Sequence, residues 1–198
     1  MLKRLFDIFF SLIGLVILSP LFIIIIIFIL SDSKGKVFYK QIRVGKNGTD
    51  FYLFKFRTMY DNSENKGLIT VGAKDDRITG AGYYLRKYKL DELPQLINVL
   101  SGNMSIVGPR PEVRKYVDLY SEEQKKVLSV KPGITDYASI EYADENTLLG
   151  KAADPEKVYI NEIMPAKLKL NLKYIEDNDL LTDCKIILKT ITLILSKN

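Results

Sequence analysis

Ile8 to Leu30 reads IFFSLIGLVILSPLFIIIIIFIL, 23 residues without a charge. As a straight helix the run would reach about 34 Å, enough to cross a hydrocarbon core of roughly 30 Å. A cleaved signal peptide does not fit, because the run is too long for a signal's apolar region and no small-residue cleavage site follows. Ser19-Pro20 interrupts it near the middle. Proline removes a backbone donor and crowds the preceding turn, so a kink is expected there. The Ser19 hydroxyl can bond back to a freed carbonyl, which makes the bend tolerable in lipid.

Working outward, Lys3 and Arg4 precede the run, while Lys34, Lys36, Lys40, Arg43 and Lys46 follow it. Positive residues mark the cytoplasmic side of a membrane segment. A segment that enters and leaves by one face satisfies both flanks; a kinked single-pass helix is the alternative. Either way residues 33–198 are expected in the cytoplasm, with residues 1–32 as the membrane element. No later stretch is long and apolar enough to span.

Composition narrows the chemistry. The sequence has no histidine and one cysteine, Cys184. Catalytic triads and Cys-rich zinc sites are therefore excluded, and so is an intrachain disulfide. A hard cation on carboxylates stays open, since Mg²⁺ takes oxygen ligands. With 29 Lys+Arg against 24 Asp+Glu, the net charge of +5 suits anionic partners. The basic residues are scattered rather than clustered, so no nucleic acid partner is expected. Cys184 lies in an apolar helical stretch and is expected to be buried.

The rest of the chain reads as one α+β unit, predominantly helical. Val37 to Val44 and Phe51 to Phe56 predict a β-hairpin around Gly45-Lys46-Asn47-Gly48. Asp61 to Gly82 is polar and predicts a loop. Short helices are expected over Tyr83 to Lys89 and Leu93 to Leu100, and Val113, Tyr116, Val117 and Tyr120 fall at helical spacing. Asp154-Pro155 and Met164-Pro165 are helix starts. Leu180 to Leu195 predicts a last helix with Ile186, Ile187, Thr190, Leu193 and Ile194 on one side. Stretches such as AKLKLNLKYI and CKIILKTITLILSK mix lysines with large aliphatics, as helices lying in a membrane interface do. Ordinary amphipathic packing is the commoner use of such a helix.

Between the two short helices stands LDELPQL, with Asp91 and Glu92 adjacent. One acid before Pro94 is explained as a helix N-terminal charge; the second is not. Arg86, Lys87 and Lys89 lie just upstream. Downstream, Gly-Pro-Arg-Pro holds Arg110 in stiff extended backbone, a setting suited to bidentate phosphate binding. A salt bridge from Arg110 to Glu112 or Asp91 is the structural alternative. An acid pair, a stiffly held arginine and a membrane anchor point to phosphate chemistry at a bilayer surface. One carboxylate could attack phosphorus and the other hold Mg²⁺.

Across KFRTM, LDELPQLINVL, MSIVGPRP and KPGIT, the sequence resembles the bacterial sugar transferases known as monotopic phosphoglycosyl transferases. The resemblance is dense from Phe38 to Thr135, takes in the Ser-Pro break and resumes near LTDCKIILKTI. It implies transfer of a sugar 1-phosphate from a UDP-sugar to undecaprenyl phosphate, with release of UMP, on the cytoplasmic face of the bacterial inner membrane. It implies Asp91 as the nucleophile of a covalent phosphosugar intermediate, Glu92 as its partner in metal binding or proton handling, and Mg²⁺ as cofactor. Arg110, Arg86 and Arg57 become phosphate contacts. The N-terminal helix becomes re-entrant, broken at Ser19-Pro20, and a homodimer is compatible with the pattern. Two stretches depart from the family. Where many relatives follow PGIT with a GLAQVNGR-like stretch, Asp136 to Ala143 reads DYASIEYA; an Asp-x-x-Tyr near the C-terminus appears as Asn171 to Tyr174. These bear on the sugar or uridine pocket and not on the reaction class. A hydrolase of the same substrates and a membrane-anchored adaptor are the competing functions.

Overall fold

The computed structural model describes residues 1–61 and 75–196. Of the loop expected over Asp61 to Gly82, residues 62–74 lie outside the described residues. The apolar run forms one helix, α1 (Leu2–Asp32), with Pro20 inside it. Pro20 cannot donate to the carbonyl four residues back, that of Val16. The Ser19 hydroxyl donates to that same carbonyl at 2.8 Å, so the lost bond is replaced within the helix. Among the described residues this is the one helix long and apolar enough to cross a membrane. Its inward residues are few: Asp7, Ser11, Ile25 and Ile29 are buried, while Phe9, Val16, Ile17, Ile24 and Ile27 are exposed.

Both ends of α1 are bonded to the same body. At the start, Lys3 donates to the Tyr174 hydroxyl at 3.1 Å and pairs with the buried Asp183. Arg4 donates to the carbonyls of Val99 and Leu100 at 2.6 and 2.9 Å. Asp7 accepts from the Ser105 hydroxyl at 2.9 Å and the Ile106 amide at 3.0 Å. At the far end, Ile25 and Ile29 pack with Phe56 and Leu85, and Asp32 accepts the Ala81 amide at 3.0 Å.

The hairpin forms as expected, β1 (Phe38–Val44) against β2 (Asp50–Phe56), antiparallel with Phe38 opposite Phe56 and Val44 opposite Asp50. Asn47 and Gly48 take positive φ, 56° and 75°, at the turn, where Asn and Gly meet little steric cost. The helix α2 (Gly80–Lys87) starts three residues before the sequence expectation, because Thr79 caps it by accepting the Gly82 amide at 2.9 Å. Next comes α3 (Gln95–Ser101). Its fully buried Asn98 accepts the Phe54 amide at 2.9 Å and donates to the Tyr52 carbonyl at 2.7 Å. That pair of bonds ties α3 to the free edge of β2.

Two short strands escape the sequence reading. They are β3 (Ser105–Val107) and β4 (Gly133–Thr135), parallel, with Ser105 opposite Gly133 and Val107 opposite Thr135. Three residues each give too little alternation to recognise. Here Gly108 and Gly133 press backbone on backbone: a Cβ on Gly133 would lie 2.1 Å from the Gly108 nitrogen.

The periodic residues after Arg110 make only one turn of helix, α4 (Arg114–Val117), yet Tyr116, Val117 and Tyr120 are all buried in the largest core cluster. After α5 (Tyr137–Glu141) and α6 (Glu145–Leu149), α7 (Pro155–Val158) begins at its Asp154 cap. It runs through a wide turn, Tyr159–Ile163, into α8 (Met164–Glu176). Pro165 falls in the first turn of α8, directly after the wide turn. The last helix, α9 (Leu180–Ser196), buries Asp183 and Ile186 and exposes Leu181, Leu188, Ile191 and Leu195. Cys184 is exposed on this outward side, against the expectation of burial. The helix is apolar on both sides, so apolar neighbours in sequence do not report burial here.

Candidate active site

Two residues past the end of α2, Lys89 takes the left-handed region, φ 57°, a conformation that costs a non-glycine residue roughly 1–2 kcal/mol. The chain then makes a single 3₁₀ turn, Leu90–Glu92, before Pro94 and α3. Leu90 and Leu93 pack into the cluster of Ile25, Ile29, Phe56 and Leu85. The leucines that fence the acid pair therefore fasten it to α1, and the two carboxylates are left for other partners.

Glu92 is held by two cations. Arg110 Nη1 donates to Oε2 at 3.1 Å, and Arg110 Nη2 bonds Oε1. Lys55 Nζ also donates to Oε1, at 3.0 Å. Arg110 thus forms a salt bridge, the structural alternative to phosphate binding, and does so with Glu92 rather than with Glu112 or Asp91. Asp91 is 6% exposed. Its Oδ2 lies 3.9 Å from Lys55 Nζ, beyond hydrogen-bond range, and no hydrogen bond to its carboxylate is found among the described residues.

The acids titrate apart for this reason. Burial opposes the charge on each. Against it, the Arg110 guanidinium and the Lys55 ammonium hold Glu92 well below the usual carboxylate range. For Asp91 burial wins, and its carboxyl is pushed above the usual value even with Lys55 opposing. Burial lowers the Lys55 ammonium, though both acids support its charge. Glu92 in turn raises the Arg110 guanidinium, which stays charged throughout. Adjacent groups pushed in opposite directions are a mark of a site with divided roles.

The basic residues named from sequence divide. Arg86 is half-buried and near enough for its charge to favour ionised Asp91. Arg57 is put to other use: its guanidinium bonds the Lys34 carbonyl, the Ser33 carbonyl at 2.7 Å and the Ser33 hydroxyl at 3.1 Å. It caps the exit from α1 and makes no contact with the acid pair. Lys55 was missed, although a signal existed. Phe51 and Leu53, with Val99 and Met104, form one small core. Lys55 continues their side of β2 at period two, so it had to end facing the turn before α3.

The Mg²⁺ that the resemblance implies finds a partial fit. No group of three or more acidic, histidine or cysteine side chains suited to a metal occurs among the described residues. Glu92 Oε1 accepts from both Arg110 and Lys55, while Oε2, with one donor, keeps acceptor capacity toward a metal. The Asp91 carboxylate accepts no hydrogen bond among the described residues. Mg²⁺ commonly takes one or two carboxylates and fills its shell with phosphate and water, which suits Asp91.

A family model described as "Bacterial sugar transferase" matches residues 1–197. The chain is 37% identical over 198 residues to the UDP-N-acetylgalactosamine-undecaprenyl-phosphate N-acetylgalactosaminephosphotransferase of Aeromonas hydrophila, covering 98% of this chain and 44% of that protein. It is 34% identical over 194 residues to the UDP-glucose:undecaprenyl-phosphate glucose-1-phosphate transferase of Escherichia coli K12, covering 96% of this chain and 39% of that one. Against the uncharacterized sugar transferase EpsL of Bacillus subtilis 168, identity is 43% over 139 residues, covering 70% of this chain and 68% of that protein. The chain spans less than half the length of the two relatives named for a reaction. With its pattern matched from end to end, the chain belongs to the bacterial sugar transferase family.

Proposed function

We propose that the protein transfers a sugar 1-phosphate from a UDP-sugar to undecaprenyl phosphate, through a covalent intermediate on Asp91. One observation carries this reading: a buried carboxylate, which accepts no hydrogen bond among the described residues, stands beside a second one already neutralised by Arg110 and Lys55. A desolvated carboxylate is a better nucleophile than a hydrated one. In the first step an Asp91 oxygen bonds the phosphorus that carries the sugar. The bond from that phosphorus to the bridging oxygen breaks, and its electron pair leaves with UMP. In the second step an oxygen of undecaprenyl phosphate attacks the same phosphorus and displaces the Asp91 carboxylate, giving the polyprenyl diphosphate-sugar. Lys55 and Arg86 offset charge at the reacting centre, and Arg110 presents its outer N–H groups to phosphate. Mg²⁺, when bound by Asp91 and the donor's phosphates, would supply further neutralisation of the diphosphate.

The same reading makes the protein monotopic, with α1 re-entrant and the body on the cytoplasmic face of the inner membrane. The support is the bonding of both ends of α1 to one body through Lys3, Arg4 and Asp7 and through Asp32. A helix with its two ends on opposite sides of a bilayer could not keep those bonds. The outward leucines and isoleucines of α9 lie beside Lys185 and Lys189, a composition suited to the headgroup layer.

Three outcomes are expected. Reconstituted protein given a panel of UDP-sugars, Mg²⁺ and undecaprenyl phosphate should release UMP with at least one sugar and only when the acceptor is present over many turnovers. Release of free sugar phosphate without the acceptor would make it a hydrolase, and no UMP with any sugar would end the reading. The pH dependence follows from Asp91, which must be ionised to attack. Its raised value puts the acid limb of kcat/KM above the ordinary carboxylate value of 3.8, with activity lost as pH falls through it. Lys55→Met should move that limb higher; a limb at the ordinary value or a downward move contradicts the assignment. For topology, cysteines replacing Leu2 and Lys36 in a Cys184→Ser background should both react with a label confined to the cytoplasm. Labelling from opposite sides would restore a spanning helix.

A further inference from the structure

Pro109-Arg110-Pro111 has a single backbone N–H, because proline has none. On its N-terminal side the chain is zipped to the Lys131–Asp136 segment. Ser105 donates to the Pro132 carbonyl at 2.8 Å, Gly108 to the Thr135 carbonyl at 3.0 Å, and Gly133 to the Pro109 carbonyl at 3.0 Å. At Arg110 the backbone ladder has run out. The Arg110 amide is instead accepted by the side chain of Asp136, at 3.1 Å to Oδ2. Asp136 is fully buried. Its other oxygen, Oδ1, accepts the Ser139 amide at 2.6 Å and caps α5. A buried carboxylate is costly unless its oxygens are bonded, and here each oxygen has one backbone donor.

We propose that Asp136 is a positioning residue for the reaction: it holds the one N–H of Pro-Arg-Pro and so fixes the arginine that clamps Glu92. The carboxylate also joins two regions that would otherwise be independent. The start of α5, in the departing stretch, and the phosphate-facing arginine share one side chain. A change in α5 can thereby reach the acid pair through Asp136, Arg110 and Glu92 in turn, without touching either carboxylate. The role in catalysis rests on the transferase reading; the hold on Arg110 does not.

Hydrogen exchange reads that hold directly, because Arg110 supplies the only exchangeable amide between Pro109 and Pro111. Asparagine offers one carbonyl oxygen for two donors, so Asp136→Asn should lose one bond and Asp136→Gly both. In the full-length membrane-reconstituted protein, Asp136→Gly should speed exchange at Arg110 by about tenfold or more. The amides of Gly108 and Gly133 should stay protected, and kcat/KM for the UDP-sugar should fall about tenfold. Combining Asp136→Gly with Arg110→Ala should lower kcat/KM no further than Arg110→Ala alone. Unchanged exchange at Arg110 overturns the proposal. So does equal acceleration at Gly108 and Gly133, or an Asp136→Gly loss of activity that persists in the Arg110→Ala background. Faster exchange at Arg110 in a protein that turns over no UDP-sugar would uphold the hold and defeat the transferase reading instead.

Discussion

The first two turns of α1 carry the constraint on which the site depends. Lys3, Arg4 and Asp7 are the only charged side chains before the apolar run, and each is bonded to a different part of the body. Lys3 meets Asp183 at the start of α9, Arg4 the last carbonyls of α3, and Asp7 the start of β3. The segment leading from Asp91-Glu92 is α3, and the strand leading to Arg110 is β3. Fixing both to one helix end sets the distance between the acid pair and its arginine. Asp183 is 1% exposed, and stranding a buried charge costs a few kcal/mol. The arrangement therefore resists slippage along the helix. At the other end of the same helix, Leu90 and Leu93 bury against Ile25 and Ile29. The acid pair hangs between these two attachments at a set depth relative to the apolar surface.

Within that frame the two acids are unequal because their neighbours are. Glu92 keeps its charge through Arg110 and Lys55, and in return holds the arginine in one orientation. In this arrangement Glu92 positions a cation, and its Oε2, with one donor, keeps room for another partner. Asp91 is buried and, among the described residues, gains no hydrogen bond in exchange. That state is unfavourable in a resting protein and useful in a nucleophile. Lys55 at 3.9 Å moderates its cost without consuming it. Removing the charge on Glu92 should therefore be felt first at Arg110.

Much of the scaffold was legible in the sequence because its signals are local. The apolar run, the Gly-Lys-Asn-Gly turn, the Asp154 cap and the Ser19 back-bond are all decided within a few residues. The acid pair was legible as an anomaly, two like charges among leucines. Partners were harder. Arg110 pairs with Glu92, 18 positions away, and nothing in Pro-Arg-Pro-Glu says that the adjacent Glu112 is already bonded to Arg43 at 3.1 Å. Arg57 and Lys55 differ by two residues and serve different tasks, one closing α1 and the other facing the acids. Cys184 was misread because α9 is apolar on both sides, so periodicity found a helix without saying which side was inward. The short parallel pair β3–β4, which aims Arg110, exists only through contacts made across the chain.

The central claim is that Asp91 carries the phosphosugar while Glu92 holds the clamp. Intact-protein mass spectrometry tests it on protein mixed with a reactive UDP-sugar and Mg²⁺ but no lipid acceptor. The account predicts an added sugar phosphate on the wild type, mapped to the peptide containing Asp91, discharged by undecaprenyl phosphate and missing from Asp91→Asn. An adduct of undiminished yield on Asp91→Asn would contradict it.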